Sequence, residues 1–559
     1  MQVKEWNISQ VDSQIVQRLV KDLNISDDIA KLLVKRGIYD FDSAKDFFRP
    51  NLSKTYDPFL MKDMSIAVDR INQAKKNNEI LLVYGDYDVD GTTSVAMISL
   101  FLTSIEIEHK FYCPDRYNEG YGISKNGVDY AIDENISLII ALDCGIRDIE
   151  SISYARSKGI DVIVCDHHKT GDKLPNANAI LNPKQKNCNY PFKELCGCGV
   201  GFKLISALHI KNKISVDNTL KYLDFVAVAT LADIVPVVDE NRIFAFHGIL
   251  KLNNNPNPGF TALISKLSSR RGISSSEILF GLAPMINSAG RIAHANLAVK
   301  LLISDNTEEL NRYSENLFSL NQKRKKIESE IFNDALNSID YDLPATVLCS
   351  NDWHKGVIGI VASKLIEKHY RPTIIFSEKN GLLTGSARSV KGFNIYDAID
   401  KCKDLCERFG GHKYAAGLTV KKENYESFKS CFLSIVSKKI TEDQMIQKID
   451  IDLQFDLNKL DNKFYRILKQ FSPFGPGNPK PVFKTHNLNL KSPPVLMGID
   501  KRHIKFLLDL KNTNVQAVGF NLAQHIGKLE SNKINLCYTI DENIWNNKKT
   551  LQLLVKDFF

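Results

Sequence analysis

Apolar residues change their period along the chain. Over the first 75 positions they recur at helical spacing, as with Ile29, Leu32 and Leu33 at i, i+3 and i+4. Arg49-Pro-Asn-Leu52 closes that stretch, so an N-terminal helical segment is predicted over 1–75. From position 79 short continuous apolar runs take over, at 79–84, 109–113, 138–142 and 161–165, with helical stretches at 92–104, 125–135 and 148–158 between them. This alternation predicts a mostly parallel sheet flanked by helices, the core of an α/β domain over 76–306. In such sheets ligands collect beyond the carboxyl ends of the strands.

Leu310, Tyr313, Leu317, Leu320, Ile327, Ile331 and Ala335 then recur at helical intervals, predicting one helix over 307–339. At ~1.5 Å per residue it spans roughly 50 Å. Its middle, Gln322-Lys-Arg-Lys-Lys326, is basic, either as a solvated face or as a helix joining two domains across a charged cleft. A second α/β unit follows over about 345–435, with strands at 345–349 and 372–376 and a helix at 359–368 between them. The last stretch, 447–559, alternates short β-like runs with turns, at 481–483, 505–508, 515–518, 534–536 and 551–554. A small barrel is expected there. Lys480, Lys484, Lys501, Arg502 and Lys505 interleave in it with Phe483 and Phe506, a pattern that suits a single strand with stacked bases, or equally a barrel core.

A chain of 559 residues exceeds one core, so three or four domains are expected. Its hydrophobic (43%) and charged (25%) fractions are those of a globular protein and argue against long disordered tracts. The net charge of +8 is compatible with a polyanionic partner. The start, Met1-Gln-Val-Lys-Glu-Trp6, lacks an apolar core of signal-peptide type, and no apolar run approaches membrane-spanning length. The eleven cysteines lack zinc spacing, which reads as reduced, mostly buried thiols in a cytoplasmic protein.

The strand ends carry the chemistry. Asp86, Asp88 and Asp90 follow the first apolar run, Asp143 the third, and Asp166, His167 and His168 the fourth. Carboxylates this close repel one another unless a cation joins them. Oxygen and imidazole donors suit manganese, iron or zinc, and carboxylates also suit magnesium. A calcium loop is excluded, because Met97 stands where its closing Glu belongs and a strand precedes it. Gly91-Thr-Thr93 lets the chain turn into a helix whose N-terminus favours anionic groups. Asp143 alone would read as a turn or capping residue. At a neighbouring strand end its two oxygens are suited to bridging two ions. One of His167 and His168 is expected on the metal, the other on a phosphate oxygen or orienting a ligand. Asp233 ends the apolar run 225–232 and needs a partner there, either a metal or Arg242. Together these residues predict a carboxylate-rich centre, with two ions, for hydrolytic chemistry on phosphate.

Asp86-Tyr-Asp-Val-Asp-Gly91, Asp143, Asp166-His-His168 and Asp233 are similar, in order and spacing, to the four motifs of the DHH phosphoesterase superfamily. Arg116-Tyr-Asn-Glu-Gly-Tyr-Gly122, Tyr190-Pro-Phe-Lys-Glu-Leu-Cys-Gly197, Asn287-Ser-Ala-Gly-Arg291 and Trp353-His-Lys-Gly-Val-Ile-Gly359 resemble its RecJ family of single-stranded-DNA exonucleases. So do Gly385-Ser-Ala-Arg-Ser389, Phe409-Gly-Gly-His-Lys-Tyr-Ala-Ala-Gly417 and Pro473-Phe-Gly-Pro-Gly-Asn-Pro479. The resemblance implies a DHH-type parallel-sheet catalytic domain (76–306), a long connecting helix (307–340), a DHH-associated α/β domain that holds nucleic acid (341–440), and a C-terminal OB-fold-like β-barrel (447–559). It implies 5′-to-3′ hydrolysis of single-stranded DNA to 5′-mononucleotides with two Mn²⁺ or Mg²⁺ ions, in DNA repair and recombination. Asp88, Asp90, Asp143, His167 and Asp233 map to the family's metal ligands, with Asp86 beside them in a supporting position. Asp143, His167 and His168 map to its catalytic residues. Tyr84 stands where many superfamily members carry a histidine, so one metal site is expected to be weaker or completed by water. Arg291, Arg388, Ser389, Gly410, Gly411 and His412 are the implied phosphate and nucleic-acid contacts. The implied partners of this cytoplasmic monomer are single-stranded DNA, a single-strand-binding protein and a RecQ-type helicase, with no membrane. Three rivals stand beside this reading: a DHH phosphodiesterase or oligoribonuclease for short oligonucleotides and dinucleotides, a non-catalytic single-stranded-DNA-binding relative, and a DHH pyrophosphatase, which the length and the C-terminal tail disfavour.

Overall fold

The computed structural model describes residues 4–215, 217–267, 272–511, 514–530, 533–545 and 548–559. The chain divides into two compact units, one of Ile8–Phe318 with Ile451–Phe559, the other of Ser319–Asp450 with the residues up to Asn7.

In the first unit a five-stranded sheet runs in the order His109–Tyr112, Leu81–Gly85, Leu138–Leu142, Asp161–Cys165, Ala179–Leu181. Every neighbouring pair is parallel. Both faces are covered, as expected of strands that read as continuous apolar runs. Leu81 and Val83 enter one core, Leu82 and Tyr84 the other. The register matters most for the chemistry. Gly85 pairs with Leu142 and Leu142 with Cys165. The next residue on each of these three strands is an aspartate: Asp86, Asp143 and Asp166. Helix Val89–Ser104 leaves the first of these ends and is buried along nearly all its length, so its apolar residues surround it rather than forming a stripe. It packs against Gly197–Lys211, Leu223–Ala232 and Asn296–Ile303.

The C-terminal part of the same unit is a seven-stranded sheet. Phe483–Leu490 pairs with both Ile534–Trp545 and His503–Asp509, which curls the sheet back on itself. Of the two readings of the aromatic pair, the core one holds: Phe483 and Phe506 are 0% and 2% exposed and form the barrel core. Strand alternation explains it, since Ile504, Phe506 and Leu508 point inward while Lys505 and Asp509 face out.

The N-terminal helices Ser13–Leu23, Asp27–Val34 and Phe41–Phe48 each begin on a side-chain cap, from Asp12, Ser26 and Asp40 respectively. Their apolar residues Val16, Leu19, Ile29, Leu32 and Leu33 share a core with Phe455, Phe471 and Phe483 of the barrel. Met64–Lys76 instead joins the core of the parallel sheet. Arg242 fastens these parts. Its buried guanidinium lies 3.8 Å from the Phe47 ring centroid and donates to the carbonyls of Phe47 (2.8 Å), Phe471 (3.0 Å) and Ser472 (3.2 Å).

In the second unit a five-stranded sheet runs Arg408–His412, Ala415–Lys421, Leu382–Arg388, Thr373–Lys379, Thr346–Ser350. Its last pair is parallel, as the strand–helix–strand pattern requires, and the other three are antiparallel. Helix Thr307–Asn337 carries the chain from one unit into the other. In its basic stretch Arg324 turns inward onto Glu328 and Asn321, while Lys323, Lys325 and Lys326 stay exposed. All eleven cysteines are free thiols. Among the described residues no helix is long and apolar enough to cross a membrane.

Candidate metal centre

The aligned strand ends bring the predicted donors together. Three groups, each with ligand atoms within 4.8 Å of one another, form there: Asp86, Asp88 and Asp143; Asp90, His167 and Asp233; and Asp143, His167 and His168. Asp143 and His167 each belong to two groups, so the donors enclose two adjacent positions rather than one.

Backbone geometry sets each donor. Asp88 caps helix Val89–Ser104, its carboxylate accepting from Gly91 N at 3.1 Å. Asp90 accepts from Gly197 N (2.6 Å) and Cys198 N (2.8 Å), the first amides of helix Gly197–Lys211, where the helix dipole favours an anion. Gly197 makes that approach possible, because a Cβ on it would fall 2.6 Å from the Asp143 Cβ. Gly91 lies equally tight against Asp86, whose carbonyl oxygen would be 2.3 Å from an added Cβ. Asp143 itself sits at φ 59°, and Ile234, next to Asp233, at φ 62°. Positive φ on a β-branched residue is an outlier of the kind that collects at functional sites.

The carboxylates outweigh the positive charge of Arg116 and His168 near them. Burial first, and then Asp88, holds the Asp86 carboxyl well above its ordinary range. Burial and the neighbouring aspartates do the same to Asp143. Asp90 is pushed up to about 6 and Asp233 to about 9, again by burial and then by the other carboxylates. Asp86 Oδ1 and Asp143 Oδ1 are buried and make no hydrogen bond. The alternative partner for Asp233 is ruled out, since Arg242 spends its donors on carbonyls.

The two histidines are in opposite states. Burial depresses His167 to about 3, so its ring is neutral. Its Nε2 faces Asp143 Oδ1 (3.1 Å), Asp233 Oδ2 (3.5 Å) and Asp90 Oδ2 (3.8 Å), a lone pair turned toward anions. That arrangement suits a shared cation. His168 is only partly buried, and its bond to Asp166 (2.7 Å) outweighs desolvation and raises it to about 9. Asp166 is in turn held down to about 2 against the effect of burial, by His168 and by amides of His167 and His168. It also accepts from Ile146 N at 3.0 Å.

The sequence reading gave Tyr121 and Arg116 no role, and Asp166, which it counted among the strand-end donors, instead orients the histidine pair. Tyr121 donates to the Asp143 carbonyl (3.0 Å) and lies 3.1 Å from His168 Nδ1. Arg116 stacks 3.9 Å over the Tyr87 ring and donates to the Gly290 carbonyl at 3.0 Å. Both belong to a motif noted above, but spacing alone gave them no role. Gly290 abuts Tyr87, whose carbonyl would lie 2.5 Å from an added Cβ, and the Arg291 carbonyl accepts from Tyr117. Arg291 therefore sits beside the acidic turn. Tyr84 does not face the donors: its ring stacks on Tyr112 in the opposite core, and its hydroxyl donates to the Gly122 carbonyl at 2.9 Å.

The other candidates lie on the mixed sheet of the second unit. Register aligns His412 with Ala415 and Ala415 with Arg388. Arg388 donates to Ser386 Oγ (3.1 Å) and the Ala387 carbonyl, and burial lowers its pKa. Ser389 Oγ donates to the Phe393 carbonyl at 2.9 Å. Gly411, at φ 146°, would place a Cβ 2.4 Å from the Ala415 carbonyl oxygen, whereas Gly410 has open space around it.

Three family models match the chain in sequence: "DHH family, N-terminal domain" over 80–230, "DHHA1 domain" over 342–438 and "RecJ OB domain" over 451–557. The single-stranded-DNA-specific exonuclease RecJ of Bacillus subtilis is 36% identical over 99% of this chain and 70% of its own length. The same-named protein of Haemophilus influenzae is 30% identical over 90% of this chain and 92% of its own length. The crystal structure of RecJ in complex with Mn²⁺ from Thermus thermophilus superposes with a TM-score of 0.87, at 24% identity, over 99% of this chain and 79% of the other. That likeness establishes the fold, and the identity that B. subtilis and H. influenzae relatives keep across nearly the whole sequence establishes descent: the chain belongs to the RecJ family of the DHH phosphoesterases.

Proposed function

We propose that the protein is a 5′-to-3′ exonuclease that hydrolyses single-stranded DNA to 5′-mononucleotides, in DNA repair and recombination. One observation carries the reading: carboxylates and a neutral His167 converge on two adjacent positions, and the charge of His168, which Asp166 already holds, does not offset them. Asp86, Asp88, Asp90, Asp143, His167 and Asp233 would hold two divalent ions, Mn²⁺ or Mg²⁺, with Asp143 shared. The donor set fits, since hard carboxylate oxygens and one imidazole suit both metals. Bound ions supply Lewis-acid activation of a phosphate and a water of lowered pKa.

The protein's own residues do the rest. Protonated His168, anchored by Asp166, presents positive charge to a developing phosphate oxyanion. Arg291 and Arg116 add charge at the acidic turn, with Arg able to grip phosphate through two N–H groups. Arg388, Ser389, Gly410, Gly411 and His412 serve nucleic-acid binding on the second unit, where the open backbone at Gly410 suits close approach of a phosphate. A single-strand-binding protein and a RecQ-type helicase are the partners proposed for a cytoplasmic monomer.

The test uses single-stranded and duplex DNA labelled at either end, with Mn²⁺. Mononucleotides released from the 5′ end of single strands are expected. Release only from 3′ ends overturns the polarity, and activity on dinucleotides without any on long strands favours the short-oligonucleotide alternative.

A further inference from the structure

Four of the eleven free thiols border the core of the second unit, and two of them touch. Cys402, just past helix Ile395–Asp400, is buried, and its Sγ donates to Cys431 Sγ at 3.0 Å. Its other acceptor, the Ala398 carbonyl, is farther away at 3.7 Å. Cys431 lies on helix Tyr425–Lys439 and is partly exposed. Cys406 is partly exposed as well, but its S–H points to the Cys402 carbonyl at 3.6 Å. A disulfide holds its sulfurs about 2 Å apart, so a side-chain movement of about 1 Å is enough to join Cys402 to Cys431. The chain between the two holds the antiparallel hairpin of Arg408–His412 and Ala415–Lys421. The first strand of that hairpin is the outer edge of the sheet and carries Gly410, Gly411 and His412.

We propose that Cys402 and Cys431 form an oxidation site, where a hydroperoxide turns the touching thiols into a disulfide that clasps this hairpin at its base. Cys431 meets the oxidant, since it is the partly exposed member of the pair. Burial and then Cys431 hold the Cys402 thiol well above its ordinary range, and burial pushes Cys406 up to about 11, so neither competes as a thiolate. The Cys431 sulfur attacks the peroxide, the O–O bond breaks, and an alcohol or water leaves with the thiol proton. Cys431 then carries a sulfenic acid. The Cys402 sulfur attacks it, the S–O bond breaks, the S–S bond forms, and hydroxide leaves as water with the Cys402 proton. That hydrogen already points at Cys431. The two thiols lose two electrons and the peroxide gains them. In a reducing compartment the pair stays open, and thiol exchange reopens it after oxidation.

The test treats the full chain with hydrogen peroxide, blocks the remaining thiols with N-ethylmaleimide in denaturant, and maps a digest without reductant. A linked pair of peptides holding Cys402 and Cys431 is expected, lighter by two hydrogens than the separate thiols and released by dithiothreitol. Cys406→Ser should keep that link. Cys402→Ser should leave the sulfenic acid on Cys431 open to capture by dimedone. In the oxidised protein, amide exchange of the hairpin through unfolding should slow roughly 100-fold, the scale of a disulfide closing about 30 residues, and Cys431→Ser should show no slowing. Oxidised protein without the link, or with Cys431 joined to Cys406 instead, overturns the site. A link formed with hairpin exchange unchanged overturns the clasp.

Discussion

Asp143 has two roles that substitution can separate. Its φ of 59° falls in the left-handed region, which asparagine and aspartate tolerate far better than alanine. Its carboxylate adds one more negative charge to a group whose carboxylates already outweigh the positive charge near them. Asp143→Asn should therefore melt, without metal, at or above the temperature of the parent. Asp143→Ala should be less stable than the Asn variant by about 1 kcal/mol, the backbone penalty alone. Both should lose more than about 100-fold in activity and the rise in melting temperature on adding Mn²⁺. Melting curves in chelator and in Mn²⁺ check this, and hydrolysis retained by the Ala variant would remove Asp143 from the catalytic set. Most donors at this scale were legible, because Asp86, Asp88, Asp90, Asp143, His167 and Asp233 cluster at the ends of apolar runs. Tyr84 was less so: it occupies a motif position, yet strand alternation sends it to the other face of the sheet. Arg116 and Tyr121 act through contacts across loops, which spacing does not encode.

Among the elements, helix Gly197–Lys211 decides whether the centre can assemble. Its first amides hold Asp90, and its first residue touches Asp143 with no room for a methyl group. Gly197→Ala should push the helix end away, destabilise the fold by about 1–3 kcal/mol as overpacking does, and weaken Mn²⁺ binding with little change in helix content. Gly410→Ala, where an added Cβ meets nothing within 4 Å, should leave the melting temperature unchanged. Metal titration followed by circular dichroism compares the two, and an unaltered Mn²⁺ midpoint in Gly197→Ala would show that the helix end is not part of the support. The strands and the helix after Asp88 were readable from apolar periodicity. The three antiparallel strands of the second unit were not resolved as strands, because Leu382–Arg388 and Arg408–His412 are short, mixed in polarity and rich in glycine.

In the whole molecule the least legible feature is the marriage of the first helices to the last domain. Ile29, Leu32 and Leu33 announced a buried face, but no local pattern says that their partners are Phe455, Phe471 and Phe483, more than four hundred residues away. Arg242 closes the same junction by donating to the Phe47 and Ser472 carbonyls, and to the Phe471 carbonyl that Asn478 also reaches. Arg242→Met should lower stability by several kcal/mol, since each orphaned buried carbonyl costs about 1–3 kcal/mol. Limited proteolysis should then cut between residues 40 and 60 and near 470. A protease-resistant variant would mean that the apolar contacts suffice. On the same argument, residues 451–559 expressed alone should aggregate, and co-expression with 8–50 should bring them into solution.

Two carboxylates at the centre, the proposed ligand Asp90 and the positioning residue Asp166, receive two and three main-chain amides respectively. A main-chain donor has no side chain to lose. Alanine scanning around the centre will therefore pass over its scaffolding, reporting Cys198 and Ile146 as replaceable although their backbones hold the ligands in place. Only proline at those two positions, or bulk at Gly91 and Gly197, reaches that layer. The mutations that silence this enzyme without touching a charged residue should be few in kind, and glycine changes should dominate them.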